Sequence, residues 1–169
     1  DYYASRGLGD VYKRQQYIMP VSPRAGDFRK LDMDSPDDVA LLRHYYEKSN
    51  PFSPLRVEHN FGLLMFYCSA FMKHFVYYSA KNEAVVIAMQ NGPVLICFDL
   101  FCDVGKSLST LVNELADDHV YQAILGFTPS EDRLGEYEKI EGEDILFVYD
   151  QKENLFKDRK LMFPLLAHA

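Results

Sequence analysis

The sequence predicts a single domain of the α/β (α+β) class, built as a mixed, partly antiparallel sheet of about five strands with about three helices. Three observations carry that expectation. Asn91-Gly92, the strongest two-residue hairpin signal in the chain, joins two β-rich runs. Leu108, Leu111, Val112 and Leu115 recur at i, i+3, i+4 and i+7, the stripe of an amphipathic helix. That helix lies between a strand ending near Asp99 and another over Val120 to Phe127, the proportions of a right-handed crossover, so those two strands are expected to run parallel.

Tyr17 to Leu31 is punctuated by Pro20, Pro23 and Gly26 and reads as an extended piece feeding a loop. Ser35 then caps a helix. Pro36 sits at its first position, Asp37 and Asp38 face its positive end, and Val39, Leu42, Tyr45 and Tyr46 form an apolar face to about Lys48. Asn50, Pro51 and Pro54 end it. His59 to Phe71 is so apolar that a helix there is expected to be buried on most sides, while a core strand over Leu63 to Tyr67 has the same composition. Phe75 to Ser79, Ala84 to Met89 and Pro93 to Asp99 form a meander, followed by the helix from Lys106 to Ala116. Glu131 to Asp144 is acidic and reads as a solvated loop or weak edge strand. Ile145 to Tyr149 is the last strand, and the apolar tail Leu161 to Ala169 is expected to pack down.

The 169 residues are one domain by size, 48% hydrophobic, with a formal charge of −7 that disfavours a broad nucleic-acid face. No stretch is long and apolar enough for a membrane span. Cys68, Cys97 and Cys102 are an odd number without paired spacing, which fits reduced thiols in a cytoplasmic protein. The five His are scattered singly, so no metal site is expected.

Residues 1–16 differ in texture from the rest. DYYASRGLGDVYKRQ resembles a peptide that recurs at the ends of open reading frames from environmental sequencing, translated from a technical adapter. The resemblance implies a non-native, disordered leader over residues 1–16 and a domain over 17–169 truncated at its amino terminus.

Four places offer chemistry. Glu58 and His59, beside Asn60, pair a carboxylate with an imidazole suited to general-base work, and equally mark a helix start. Asp99 lies at the carboxyl end of the central strand, where ligands of α/β sheets gather. Gly105, Lys106 and Ser107 open the amphipathic helix, where free N–H groups and a lysine suit an anion; a capped surface helix has the same pattern. Thr128 follows the next strand and faces the same edge, although Thr-Pro also terminates strands. Tyr45, Tyr46, Tyr67, Tyr77 and Tyr78 suit either a pocket or half-buried core positions.

From Phe28 onward the succession FRKLDMDSPDD, NPFSP, NFGLLMFYC, ICFDLF, GFTPS, DILFVY and FPLLAHA resembles the carboxy-terminal part of a bacterial family related to the GNAT superfamily of N-acetyltransferases, found mainly in gut anaerobes. The resemblance implies a GNAT-like fold, acetyl-CoA as cofactor, and transfer of its acetyl group to a small-molecule or peptide amine. In that superfamily a Gln/Arg-x-x-Gly-x-Gly/Ala turn holds the pyrophosphate. Here only Arg6-Gly7-Leu8-Gly9 approximates it, with no strand before it and no helical stripe after it. The alternative function is a non-catalytic ligand-binding or dimerisation module, with a homodimer as its assembly.

Overall fold

The computed structural model describes residues 10–12, 15–130, 135–139, 146–148, 161–162 and 164–167. In chain order these form β1 (Asp10–Tyr12), β2 (Gln15–Pro20), β3 (Arg29–Lys30), α1 (Pro36–Lys48), α2 (Phe61–Ser69), β4 (Val76–Ser79), β5 (Ala84–Asn91), β6 (Val94–Cys102), α3 (Leu108–Leu115), β7 (Gln122–Leu125), β8 (Glu136–Lys139), β9 (Leu146–Val148) and a 3-10 turn at Leu165–Ala167. Seven strands make one sheet in the order β3-β4-β5-β6-β7-β2-β8, and β1 pairs with β9 apart from it. Every neighbouring pair in the large sheet is antiparallel except β6 and β7, which are parallel and joined through α3. The class is therefore α+β with a mixed sheet. It has more strands than the sequence suggests because β2 inserts between β7 and β8, and the two-residue β3 pairs at the far edge.

Local chemistry sets the elements. Ser35 Oγ accepts from Asp38 N at 3.5 Å to cap α1. The Asp38 carboxylate also accepts from Arg29 through both guanidinium nitrogens and from Asp32 N at 2.8 Å, tying the helix start to β3. Between β5 and β6 the two turn residues are Gly92, at φ +57°, and Pro93, the order a type II′ hairpin requires. Ser107 caps α3 by accepting from Thr110 N at 3.3 Å, which starts the helix at Leu108, where its apolar stripe begins and two residues after the expected Lys106.

The sheet is covered on both faces. Val86, Ala88, Leu95, Cys97, Leu100 and Cys102 pack with Leu111 and Val112 of α3, while Val85, Ile87 and Phe101 pack with Leu42 and Tyr45 of α1 and Leu64 and Cys68 of α2. Burying a Leu or Val of this kind contributes about 1.5–3 kcal/mol. The tail closes the core, with Met162 and Leu166 buried and Leu165 N donating to Gly126 O at 2.9 Å.

Two expectations are corrected. The segment up to residue 16 is not wholly outside the fold. Asp10–Tyr12 pairs with Val148–Leu146, and Gln15 and Gln16 pair with Lys139 and Glu138, because backbone ladders form irrespective of side-chain texture. Gln16 Nε2 adds a 2.9 Å bond to Glu138 Oε2. Arg6 to Gly9 lie outside the described residues, as do parts of Glu131 to Asp144, of which Glu136–Lys139 is an edge strand. The second correction is α2, which is a shorter helix and is not buried on most sides. It packs Leu64 and Cys68, one i, i+4 row, and leaves Phe66 55% exposed; Phe71, just beyond it, is 70% exposed. Among the described residues no helix is long and apolar enough to cross a membrane.

Gly126 offers a test of the packing. A Cβ there would lie 2.5 Å from Phe98 O and 2.9 Å from Phe98 Cα, both backbone atoms. Gly126→Ala is expected to lower unfolding free energy by about 1–3 kcal/mol, the range for overpacked positions. Urea denaturation reads this as a lower midpoint at unchanged slope; an unchanged midpoint would mean that β6 and β7 separate freely at this point.

Candidate functional site

The centre of the sheet is where β6 and β7 part. Their register runs from Val94↔Gln122 to Cys97↔Leu125, and the last contact is Gly126 N donating to Cys97 O at 2.7 Å. On the other side of β6 the register with β5 slips by one, since Ala88 faces Cys97 but Ile87 faces Asp99. Phe98 is the extra residue of a β-bulge. The slip exchanges the two faces of β6. Leu95 and Cys97 point toward α3 before it, and Leu100 and Cys102 do so after it. It also turns the Leu100 N–H toward the side that β7 has vacated, because Cys97 O already faces β7 and the bulge reverses the alternation.

That N–H is taken within β6 itself. Asp99 Oδ1 accepts from Leu100 N at 2.8 Å and from Asn50 Nδ2 at 2.8 Å. Asn50 stands just after α1, beyond Ser49, whose φ of +64° turns the chain across the sheet. Asn50 Oδ1 accepts from Phe52 N at 2.9 Å, so its amide is fixed at both ends. The loop after it is self-supporting. Ser53 Oγ donates to Leu55 O and accepts from Leu55 N, while Tyr46 Oη donates to Val57 O at 3.4 Å and accepts from Asn60 N at 2.9 Å. Ser130 N reaches back to Phe52 O at 2.6 Å.

Between this loop and the sheet is a cavity of about 20 Å³ lined by Tyr46, Asn50, Arg56, Asp99, Phe101 and Phe127, among others. A space of that size holds one water-sized group. Asp99 is 9% exposed. Burial pushes its carboxyl up to about 7, against the opposing pull of the Asn50 and Leu100 hydrogen bonds. Burial likewise raises the Cys68 thiol to about 12 and Cys102 to about 11, and moves Cys97 upward, so all three stay protonated at neutral pH.

Of the residues singled out from the sequence, Asp99 and Tyr46 line this cavity. Glu58 and His59 are exposed in the loop before α2, His59 at φ +57°. Gly105, at φ +89°, makes the turn into α3; Lys106 pairs with Glu83 at 3.3 Å; and Ser107 is the helix cap. Their observed bonds are those of a capped surface helix. Thr128 is buried and its Oγ1 accepts from Met162 N at 2.6 Å, which anchors the tail. Asn50, Arg56 and Phe127 were not singled out as site residues. The only sequence signal for Asn50 is its place after a helix, and it meets Asp99 across 49 positions of chain.

The titration of Asp99 has a definite sign. Its pKa is raised in the folded state, so between about pH 4 and 7 the folded chain holds a proton that the unfolded chain has released. Its contribution to stability is therefore greatest in acid, falls as pH rises through that window, and is flat above it. The fall is up to roughly 4 kcal/mol at 1.36 kcal/mol per unit. Asp99→Asn keeps an acceptor for both donors and is expected to flatten the difference. Urea midpoints of the two proteins at several pH values, running in parallel, would contradict it.

No protein-family model and no curated protein matches the chain, so no relative assigns a role to these residues.

Proposed function

We propose that this chain is a non-catalytic binding module built on an acyltransferase-like sheet. One observation carries it: at the parting of β6 and β7, the Leu100 N–H that faces the gap is bonded to the Asp99 carboxylate, and the space beside it is about 20 Å³. Acyl transfer from a thioester needs N–H donors aimed at the oxygen that becomes an oxyanion. A carboxylate on that donor both occupies it and opposes the developing negative charge. The partners of such a module are a small ligand at the cavity or a second copy of the chain. The exposed rings of Phe66 and Phe71, 5.9 Å apart, are apolar surface that a second copy would cover. Sedimentation showing only monomer at high micromolar concentration would remove the second copy.

Acetyl transfer from acetyl-CoA to a small-molecule or peptide amine is the second reading. The bulge and the parted strands favour it, since together they release strand N–H groups from the ladder. It requires the Asn50 loop to withdraw and the Asp99 carboxyl to leave Leu100. Calorimetric titration with acetyl-CoA, followed by a free-thiol assay with a mixture of amines, separates the two. The expected outcome is neither heat nor thiol release; saturable heat with thiol release would establish the transferase instead.

A further inference from the structure

We propose that residues 53–58 are a lid over the Asp99 cavity and that ionisation of Asp99 favours its opening. The proposal concerns access to the cavity and stands whichever function the chain has. The segment is held at its two ends and little between them. At one end Phe52 N donates to Asn50 Oδ1 at 2.9 Å, Phe52 O accepts from Ser130 N at 2.6 Å, and the Phe52 ring packs against the core. At the other, Asn60 N donates to Tyr46 Oη at 2.9 Å, just after His59 at φ +57°. Between these ends Ser53 and Leu55 bond to each other, which stiffens the segment without tying it to the sheet. Among the described residues, Pro54 to Glu58 have one hydrogen bond to a residue outside the segment, Tyr46 Oη donating to Val57 O at a long 3.4 Å. Leu55 and Val57 are half-buried and belong to neither hydrophobic core. A stretch with so few apolar contacts and backbone bonds opens ahead of the sheet that it covers.

The carboxyl beneath the lid supplies the reason to open. Ser53, Leu55, Arg56 and Val57 wall the cavity on the loop side and Asp99, Phe101 and Phe127 on the sheet side, and its 20 Å³ admits about one water-sized group. Both donors to Asp99, Asn50 Nδ2 and Leu100 N, converge on Oδ1; among the described residues nothing donates to Oδ2. A neutral carboxyl tolerates that confinement. A carboxylate oxygen has two lone-pair sites to satisfy and is costly to bury without donors. Opening residues 53–58 brings water to Oδ2 and leaves the Asn50 and Leu100 bonds in place. No neighbouring charge does the same work. The titratable side chains beside Asp99 are Tyr46 of α1, Cys68 of α2 and Cys97 of β6; both thiols stay protonated, and Ile87, opposite on β5, is apolar. Arg56 lines the cavity but is exposed and forms no ion pair among the described residues. Glu58 and His59 are exposed.

Linkage sets the direction. Burial holds the covered carboxyl at about 7, and hydration on opening returns it to the ordinary carboxylate range, so the open fraction rises with pH and levels off above about pH 7. Trypsin cutting between Arg56 and Val57 reads that fraction, since cleavage of a transiently opened segment tracks its population when reclosing is fast. Between about pH 6 and 8.5 the rate of this cut, divided by trypsin's rate on an unstructured arginine peptide at the same pH, is expected to rise roughly 10-fold. Asp99→Asn keeps an acceptor for both donors and is expected to abolish the rise. His59→Asn, which accepts a left-handed φ, is expected to leave it unchanged. Mass spectrometry assigns the cuts, and the rate after Arg56 is expected to change little in about 1 M urea, because a lid exposes little surface on opening. Equal corrected rates at the two pH values, a rise retained in a folded Asp99→Asn protein, or a rise lost in His59→Asn would each overturn the lid. So would cleavage after Arg43, inside α1, in step with Arg56 and accelerated by urea, which is global unfolding. Should Asp99→Asn fail to fold, the pH, urea and His59→Asn arms decide alone. The acetyl-CoA titration tests the module reading separately, and neither result changes the other.

Discussion

β6 carries one residue more than β5 can match, and the position of that residue organises the centre of the molecule. Without the slip at Phe98, the alternation begun by Leu95 and Cys97 would send Leu100 and Cys102 to the opposite face of the sheet. The α3 core would lose both. With it, the strand bends where β7 ends, and Gly126 lets the two backbones touch at the last point of pairing. The parted strands, the turned Leu100 N–H and the placement of Asp99 all follow from that single extra residue.

A parted pair of strands in the middle of a sheet leaves polar backbone to be satisfied, and the chain does so from two directions. Asp99 reaches back to the next residue of its own strand, and Asn50 arrives from the end of α1. The two bonds do not offset the burial of the carboxyl, whose pKa rises to about 7 although both bonds favour the charged form. Desolvation is the larger effect here. It is also why the loop is built so tightly on itself, through Ser53, Tyr46 and the Phe52 carbonyl: a loosely held Asn50 would be a poor partner for a group so costly to bury.

Much of the fold was legible because it rests on neighbours in sequence. The Ser35-Pro36 cap, the hairpin at Gly92 and the stripe on α3 each act over a few residues, although the turn pair is Gly92-Pro93 rather than the expected Asn91-Gly92, and the crossover between β6 and β7 follows from their spacing. α2 was not legible in the same way. Its apolar composition says that it is able to be buried but not what covers it, and the core fully buries only Leu64 and Cys68 while Phe61, Met65 and Tyr67 pack against it half-buried. Nor was β2 legible as an interior strand, since its partners Gln122–Leu125 and Glu136–Lys139 lie more than a hundred residues away. Asp99 was expected at the end of its strand, but β6 runs on to Cys102, and the bulge at Phe98 rather than a strand end sets its place. Its pairing with Asn50 was not legible, because no local pattern distinguishes an Asn that ends a helix from one that also satisfies a distant acid.

The choice of side chains at the gap bears on what the gap is for. If the space between β6 and the loop needed only filling, an apolar residue at 99 would do it, since well-packed hydrophobic groups replace buried polar clusters with little loss and often with gain. Phe101 and Phe127, on the walls of the same cavity, show that such residues are at hand. A carboxylate instead introduces a group that burial opposes and, among the described residues, satisfies one of its oxygens twice and the other not at all. Packing alone does not account for that arrangement. What the carboxylate supplies is an acceptor for two donors that would otherwise be buried unpaired, the Leu100 N–H beyond the end of β7 and the Asn50 amide.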